Sequence, residues 1–151
     1  MQPKLSSQER YDDAVGRLYR ALELLAQIRW WLAYGIKTGN VNRERLPEAL
    51  RDRVRQQDDK IQLALQKSYQ LLSCLSEDPL GALYHQHANA LKDILQIRNY
   101  SLLAHGFQPV TENDYRIVSR TIGNFIKTGI EAVIDKKPLP LAEQFPKSLA
   151  G

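Results

Sequence analysis

Sulfur is nearly missing from this chain, which has one cysteine, Cys74, and one methionine. That excludes a disulfide framework within the chain and a cysteine-rich zinc site. Long apolar runs are missing too. The longest candidate, WWLAYGI over 30–36, falls far short of the roughly 18 residues a membrane helix needs, so no membrane contact is expected. The opening residues MQPKLSSQER contain no apolar segment of the secretory kind, and the expected compartment is the cytoplasm. No glycine-rich phosphate loop is readable, and no segment alternates with period two. Nor is charge of one sign in large excess. Twenty-one basic against 17 acidic residues leave a net charge of +4, with a pI near 9.2. This permits a nucleic-acid partner without requiring one, and no dense basic tract appears.

What is present is helical periodicity in a chain of 151 residues, enough for one domain with its own core. Tyr11, Val15, Leu18, Leu22, Leu25, Leu32 and Ile36 recur at helical steps, and Leu24, Ile28 and Trp31 form a second stripe beside them. The spacing predicts a long helix from near Ser7 to Gly35, central to a bundle or lying at a subunit interface. Residues 38–60 are the most polar, with a short helix expected from Leu46 to Arg55 behind Pro47, or more simply a solvated connector. Ile61, Leu65, Tyr69, Leu72 and Leu75 mark a third helix that ends at Glu77-Asp78-Pro79. A fourth runs from about Leu80 to Ala104. A last one, carrying Tyr115, Val118, Ile122, Phe125, Gly129 and Val133, starts where Glu112 and Asp114 suit a helix N-terminus. The fold class expected is all-α, a bundle of about five helices over residues 1–135. Residues 136–151, with three prolines, read as an extended tail.

The richest stretch chemically is Arg98-Asn99-Tyr100-Ser101-Leu102-Leu103-Ala104-His105-Gly106. Seven residues are close to two helical turns, so Arg98 and His105 share a face, roughly 10 Å apart along the axis. Arginine is a permanent cation whose planar fork matches phosphate oxygens. Histidine takes and gives protons near neutrality. Together they are what RNA cleavage without a metal asks for: a group to move protons at the 2′-hydroxyl or leaving oxygen, and a cation to steady the phosphate. Asn99 can add a neutral donor. On spacing alone a structural reading stands ahead of this one. A histidine in a last turn, followed by Gly106 and Pro109, is an ordinary helix stop, with His105 capping carbonyls and Arg98 lying along the surface.

Other constellations are weaker. Asp93, Ser101 and His105 can be drawn as a hydrolytic triad, but no strained nucleophile turn precedes Ser101. His85 and His87, two apart on a helix, point away from each other and make a poor metal pair. Trp30 and Trp31 are ~100° apart on their helix and cannot form one stacking platform. One is expected in the core and the other at an interface. Cys74 is expected to be a buried small apolar residue. No cofactor and no metal site are implied.

RNYSLLAHG resembles the signature of HEPN domains, helical ribonucleases marked by an arginine, a short spacer and a histidine. More narrowly, the chain is similar to the HEPN portion of CRISPR-associated type III effectors that carry a cyclic-oligoadenylate sensor, the CARF domain, upstream. AVGRLYRALELLAQIRWWLAYGIKTGNV, LPEAL, DKIQLALQKSYQLLSCL, DPLG and HGFQPVTENDY carry the similarity over about residues 12–120. The resemblance implies an endoribonuclease for single-stranded RNA whose site forms where two HEPN domains of a homodimer meet. His105 would transfer protons, Arg98 would hold the phosphate and Asn99 would position it. The chain has no room for a sensor domain, so it reads as an excised domain or a shortened relative. Two other readings stay open, a HEPN toxin neutralised by a partner protein and a catalytically silent dimerisation module.

Overall fold

Helix α1 runs over Ser7–Tyr34 and stops where backbone chemistry dictates. Gly35 takes φ +67°, a left-handed conformation that glycine adopts without steric penalty. Its N–H donates to the Trp31 carbonyl at 2.9 Å, and the Ile36 N–H to the Trp30 carbonyl at 3.1 Å. The chain reverses there, and Ile36 is driven into the core. The computed structural model describes residues 7–54, 63–75, 77–103 and 110–135. The remaining elements are a 3-10 turn at Arg43–Arg45, α2 at Glu48–Arg51, α3 at Leu65–Ser73, α4 at Pro79–Leu103 and α5 at Glu112–Asp135. No strand occurs among the described residues, and the fold is all-α as expected. Ile61, Ala104 and the tail 136–151 lie outside the described residues.

The chain divides into two compact units, one of Met1–Leu22 with His87–Lys127, the other of Glu23–Gln86 with Thr128–Gly151. In the first, Val15, Tyr19 and Leu22 of α1, Leu91, Ile94 and Leu95 of α4, and Val118, Ile122 and Phe125 of α5 are all buried. The Tyr19 hydroxyl donates to the Ile94 carbonyl, so an aromatic ring enters the core without stranding its polar end.

In the second unit Trp30 is fully buried, and its indole N–H donates to the Ser68 carbonyl at 3.1 Å. Tyr69 of α3 stacks on Tyr84 of α4, centroids 5.3 Å apart. The start of α4 passes very close to the end of α3. A Cβ on Gly81 would lie 2.0 Å from the Leu72 carbonyl oxygen, so only glycine fits.

Three expectations need correction. The buried line of α1 runs Val15, Tyr19, Leu22, Ala26, Trp30, while Leu32 joins Leu24, Ile28 and Trp31 on the exposed side. Counting apolar residue types passes over Tyr19 and Ala26, which bury well for reasons of hydrogen bonding and size. Residues 38–54 are not a solvated connector. Leu46, Leu50 and Val54 are buried, and Arg51 pins the turn by donating from Nε to the Leu46 carbonyl (3.2 Å) and from Nη2 to the Glu44 carbonyl (2.8 Å). Cys74 is only partly buried, its thiol 3.3 Å from the Gln70 carbonyl.

Candidate functional site

The motif residues sit at the far end of α4. The helical backbone carries Arg98 and Asn99, and their side chains lie outside the described residues, as does all of His105. What the structure does describe is how the first unit holds that end of the helix. Leu91, Ile94 and Leu95 anchor α4 in the core. The Ile94 carbonyl bonded by Tyr19 is one turn before Arg98 and is the carbonyl that the Arg98 N–H meets in an ideal α-helix. Leu91 and Leu95 are thus committed to the chain's own core. A second copy pairing along α4 could not use these two positions.

The chain is held again just past the motif. Val110 is buried, and its N–H donates to Asp12 Oδ1 of α1 at 3.2 Å. Thr111 and Asp114 then close a reciprocal cap on α5. The Asp114 N–H donates to Thr111 Oγ1 (3.0 Å) and the Thr111 N–H to Asp114 Oδ2 (3.3 Å), two donors that the first turn would otherwise leave unmade. Tyr11 stacks on Tyr115, centroids 5.6 Å apart, which fastens α1 to the same turn. His105 belongs to the span 104–109, outside the described residues.

The other candidates can be placed. Asp93 is exposed, and Ser101 lies within α4 rather than on a strand-to-helix turn. Eight residues along one helix put them roughly 12 Å apart, too far for one to orient the other's chemistry. His85 and His87 are both exposed, His87 with its ring edge-on to Phe125 at 6.4 Å. Among the described residues no three His, Cys, Asp or Glu side chains come together to hold a metal. No described helix is long and apolar enough to cross a membrane.

One polar cluster escaped the sequence. Asp78 is buried at the start of α4, where its Oδ1 accepts the Gly81 N–H at 2.8 Å, the bond expected of a helix-capping aspartate before Pro79. Its Oδ2 accepts from Arg29 Nε at 2.9 Å and from the Tyr34 hydroxyl at 2.5 Å. Burial, and then the hydrogen bond to Asp78, push the Tyr34 hydroxyl well above its usual range. Arg29 and Asp78 are almost wholly removed from solvent, and Arg29 Nη1 has no hydrogen-bond partner. The hint in the sequence was Asp-Pro at a helix start. Its partners are 49 and 44 residues away, beyond the reach of any local pattern.

Helical throughout its described residues, with Arg98 and Asn99 in the last turns of α4 and His105 two residues beyond it in the sequence, the chain has the features of a HEPN-type helical domain. Residues 4–128 match the family model of the Csm6 HEPN domain, and the chain belongs to that CRISPR-associated family. The matched span includes Arg98, Asn99 and His105. No curated protein and no solved structure matches the chain.

Proposed function

We propose that this chain is a metal-independent endoribonuclease domain acting on single-stranded RNA as the effector part of a CRISPR type III antiviral defence protein. The observation that carries the reading is the family match over residues 4–128, which takes in α4 with Arg98 and Asn99 in its last turns and His105 beyond it in the sequence. In this mechanism His105 moves protons at the 2′-oxygen or the leaving 5′-oxygen. Arg98 holds the crowded phosphate through its planar fork, and Asn99 positions the strand. Because the internal 2′-oxygen attacks, one product ends in a 2′,3′-cyclic phosphate and the other in a 5′-hydroxyl.

One copy supplies a single Arg98 and a single His105. Proton removal and proton return are separate tasks, and a two-fold dimer gives a group for each, so the site is composite. In the parent protein an upstream cyclic-oligoadenylate sensor of the CARF type would govern that pairing. Residues 1–135 form the catalytic domain and 136–151 a tail.

The test is the chemistry of the cut ends. A 5′-labelled single-stranded RNA should yield fragments whose 3′ end resists phosphatase until acid opens the cyclic phosphate, and EDTA should leave the rate unchanged. Fragments with a 3′-hydroxyl and a 5′-phosphate, or loss of cutting in EDTA, would rule this mechanism out.

A further inference from the structure

Trp31 does not behave like its neighbour Trp30. Trp30 is fully buried, whereas Trp31 is 50% exposed and stands between two clefts of about 400 and 500 Å³. The indole and Lys37 line both, so they form the wall the clefts share. Gln27 and Ile28 of α1, with Thr38 and Gly39, complete the smaller one. Asn40, Asn42 and Arg45 line the larger, beside the apolar Ile36 and Val41. Pockets of roughly 300–1,000 Å³ hold small organic ligands, so each is about the size of one nucleotide.

The left-handed turn at Gly35 builds this surface. By reversing the chain after Tyr34, it brings the Lys37 ammonium to 5.4 Å from the centre of the Trp31 ring. The 3-10 turn that follows is capped by Asn42, whose Oδ1 accepts the Glu44 N–H at 3.1 Å, and it presents Arg45 to solvent. The arginines nearby are already engaged. Arg43 donates to the Arg51 carbonyl, and Arg51 to those of Leu46 and Glu44. Among the described residues Lys37 and Arg45 have no carboxylate within ion-pair distance, and no Asp or Glu lines either cleft.

We infer that this pair of clefts is a subsite for single-stranded RNA, in which a base stacks on Trp31 while Lys37 and Arg45 contact the phosphates on either side of it. An exposed aromatic face flanked by cations, with amide side chains in reach of base edges, is how proteins grip single strands with little sequence preference. A protein partner fits less well. The core of a protein interface is depleted in lysine and in charge generally, yet here one cation lies over the ring and another beside it. The inference rests on the ribonuclease reading for its choice of ligand. It concerns binding only, and all of its residues lie in the second unit, Glu23–Gln86 with Thr128–Gly151.

The test uses the full chain and a fluorescein-labelled 2′-O-methyl oligoribonucleotide, which stays intact whether or not the chain cuts RNA. Wild type should bind it with quenching of tryptophan fluorescence. Trp31→Leu should weaken binding about five- to hundredfold and abolish the quench, and Trp31→Phe should restore most of the affinity. Lys37→Ala and Arg45→Ala should each weaken binding and lower the slope of log affinity against log salt by about 0.7. All three positions are exposed, and the two cation variants decide the matter should Trp31→Leu fold poorly. No measurable binding by wild type, or affinities within twofold of wild type across the variants, would overturn the subsite. So would a Trp31→Leu chain that keeps its RNA affinity and loses self-association, since the patch would then be an interface between copies. If His105→Ala cuts RNA normally while these binding losses are found, the nuclease assignment fails and the subsite stands.

Discussion

Two glycines show how differently a single residue can constrain this fold. At Gly35 an added Cβ would meet nothing within 4 Å, so Gly35→Ala is charged only for a left-handed backbone, about 1–2 kcal/mol. At Gly81 the same methyl collides with the Leu72 carbonyl, backbone that cannot rotate away. Gly81→Ala should therefore cost about 3 kcal/mol or more, and thermal unfolding should rank the pair in that order. Asp78 is a third critical position. Asp78→Ala removes the cap of α4 and leaves Arg29 as a buried cation without its carboxylate, a loss of about 3–5 kcal/mol by chemical denaturation. Tyrosines set the alkaline limit. Burial, as the first cause in each case, raises the hydroxyls of Tyr34, Tyr69 and Tyr84 above their usual range. The folded state thus holds these protons more tightly than the unfolded chain. Their contribution to stability is complete below the ordinary tyrosine pKa of about 10 and is lost as pH climbs from there toward the raised folded values. Urea midpoints measured between pH 8 and 11 should fall only in the upper part of that range.

At the scale of elements, the caps say most about the site. Thr111→Ala should cost about 1 kcal/mol and, in hydrogen exchange, should loosen the first turn of α5 before the buried middle of that helix. The end of α1 and the starts of α4 and α5 were legible in the sequence because strong local signals set them: Gly35 after Tyr34, Asp78-Pro79 before Leu80, and the acidic Glu112 and Asp114. The buried face of α1 was less legible, since Tyr19 and Ala26 do not look apolar enough and Leu32 looks too apolar. The stretch 38–54 looks like a connector because its polar residues outnumber Leu46, Leu50 and Val54. Its order comes from Arg43 and Arg51 reaching backbone carbonyls, which no periodicity reveals. Of the site, Arg98, Asn99 and His105 were read from one motif. The Arg29–Asp78–Tyr34 cluster and the surface around Trp31 depend on contacts and a chain reversal that only the fold discloses.

At the scale of the whole molecule, a net charge of +4 is modest for the proposed grip on RNA, and pairing two copies would double it. Sedimentation at tens of micromolar should therefore show a dimer, and RNA affinity should fall steeply with salt. A strict monomer would remove the composite site. The central claim is that His105 does chemistry rather than capping α4, and its most direct test is cleavage of single-stranded RNA by His105→Ala, with circular dichroism and sedimentation run on the same sample. Alanine continues a helix and removes only the imidazole. The expected result is unchanged helicity and association with cleavage abolished. Normal cleavage by that variant would contradict the account and leave His105 as a helix stop.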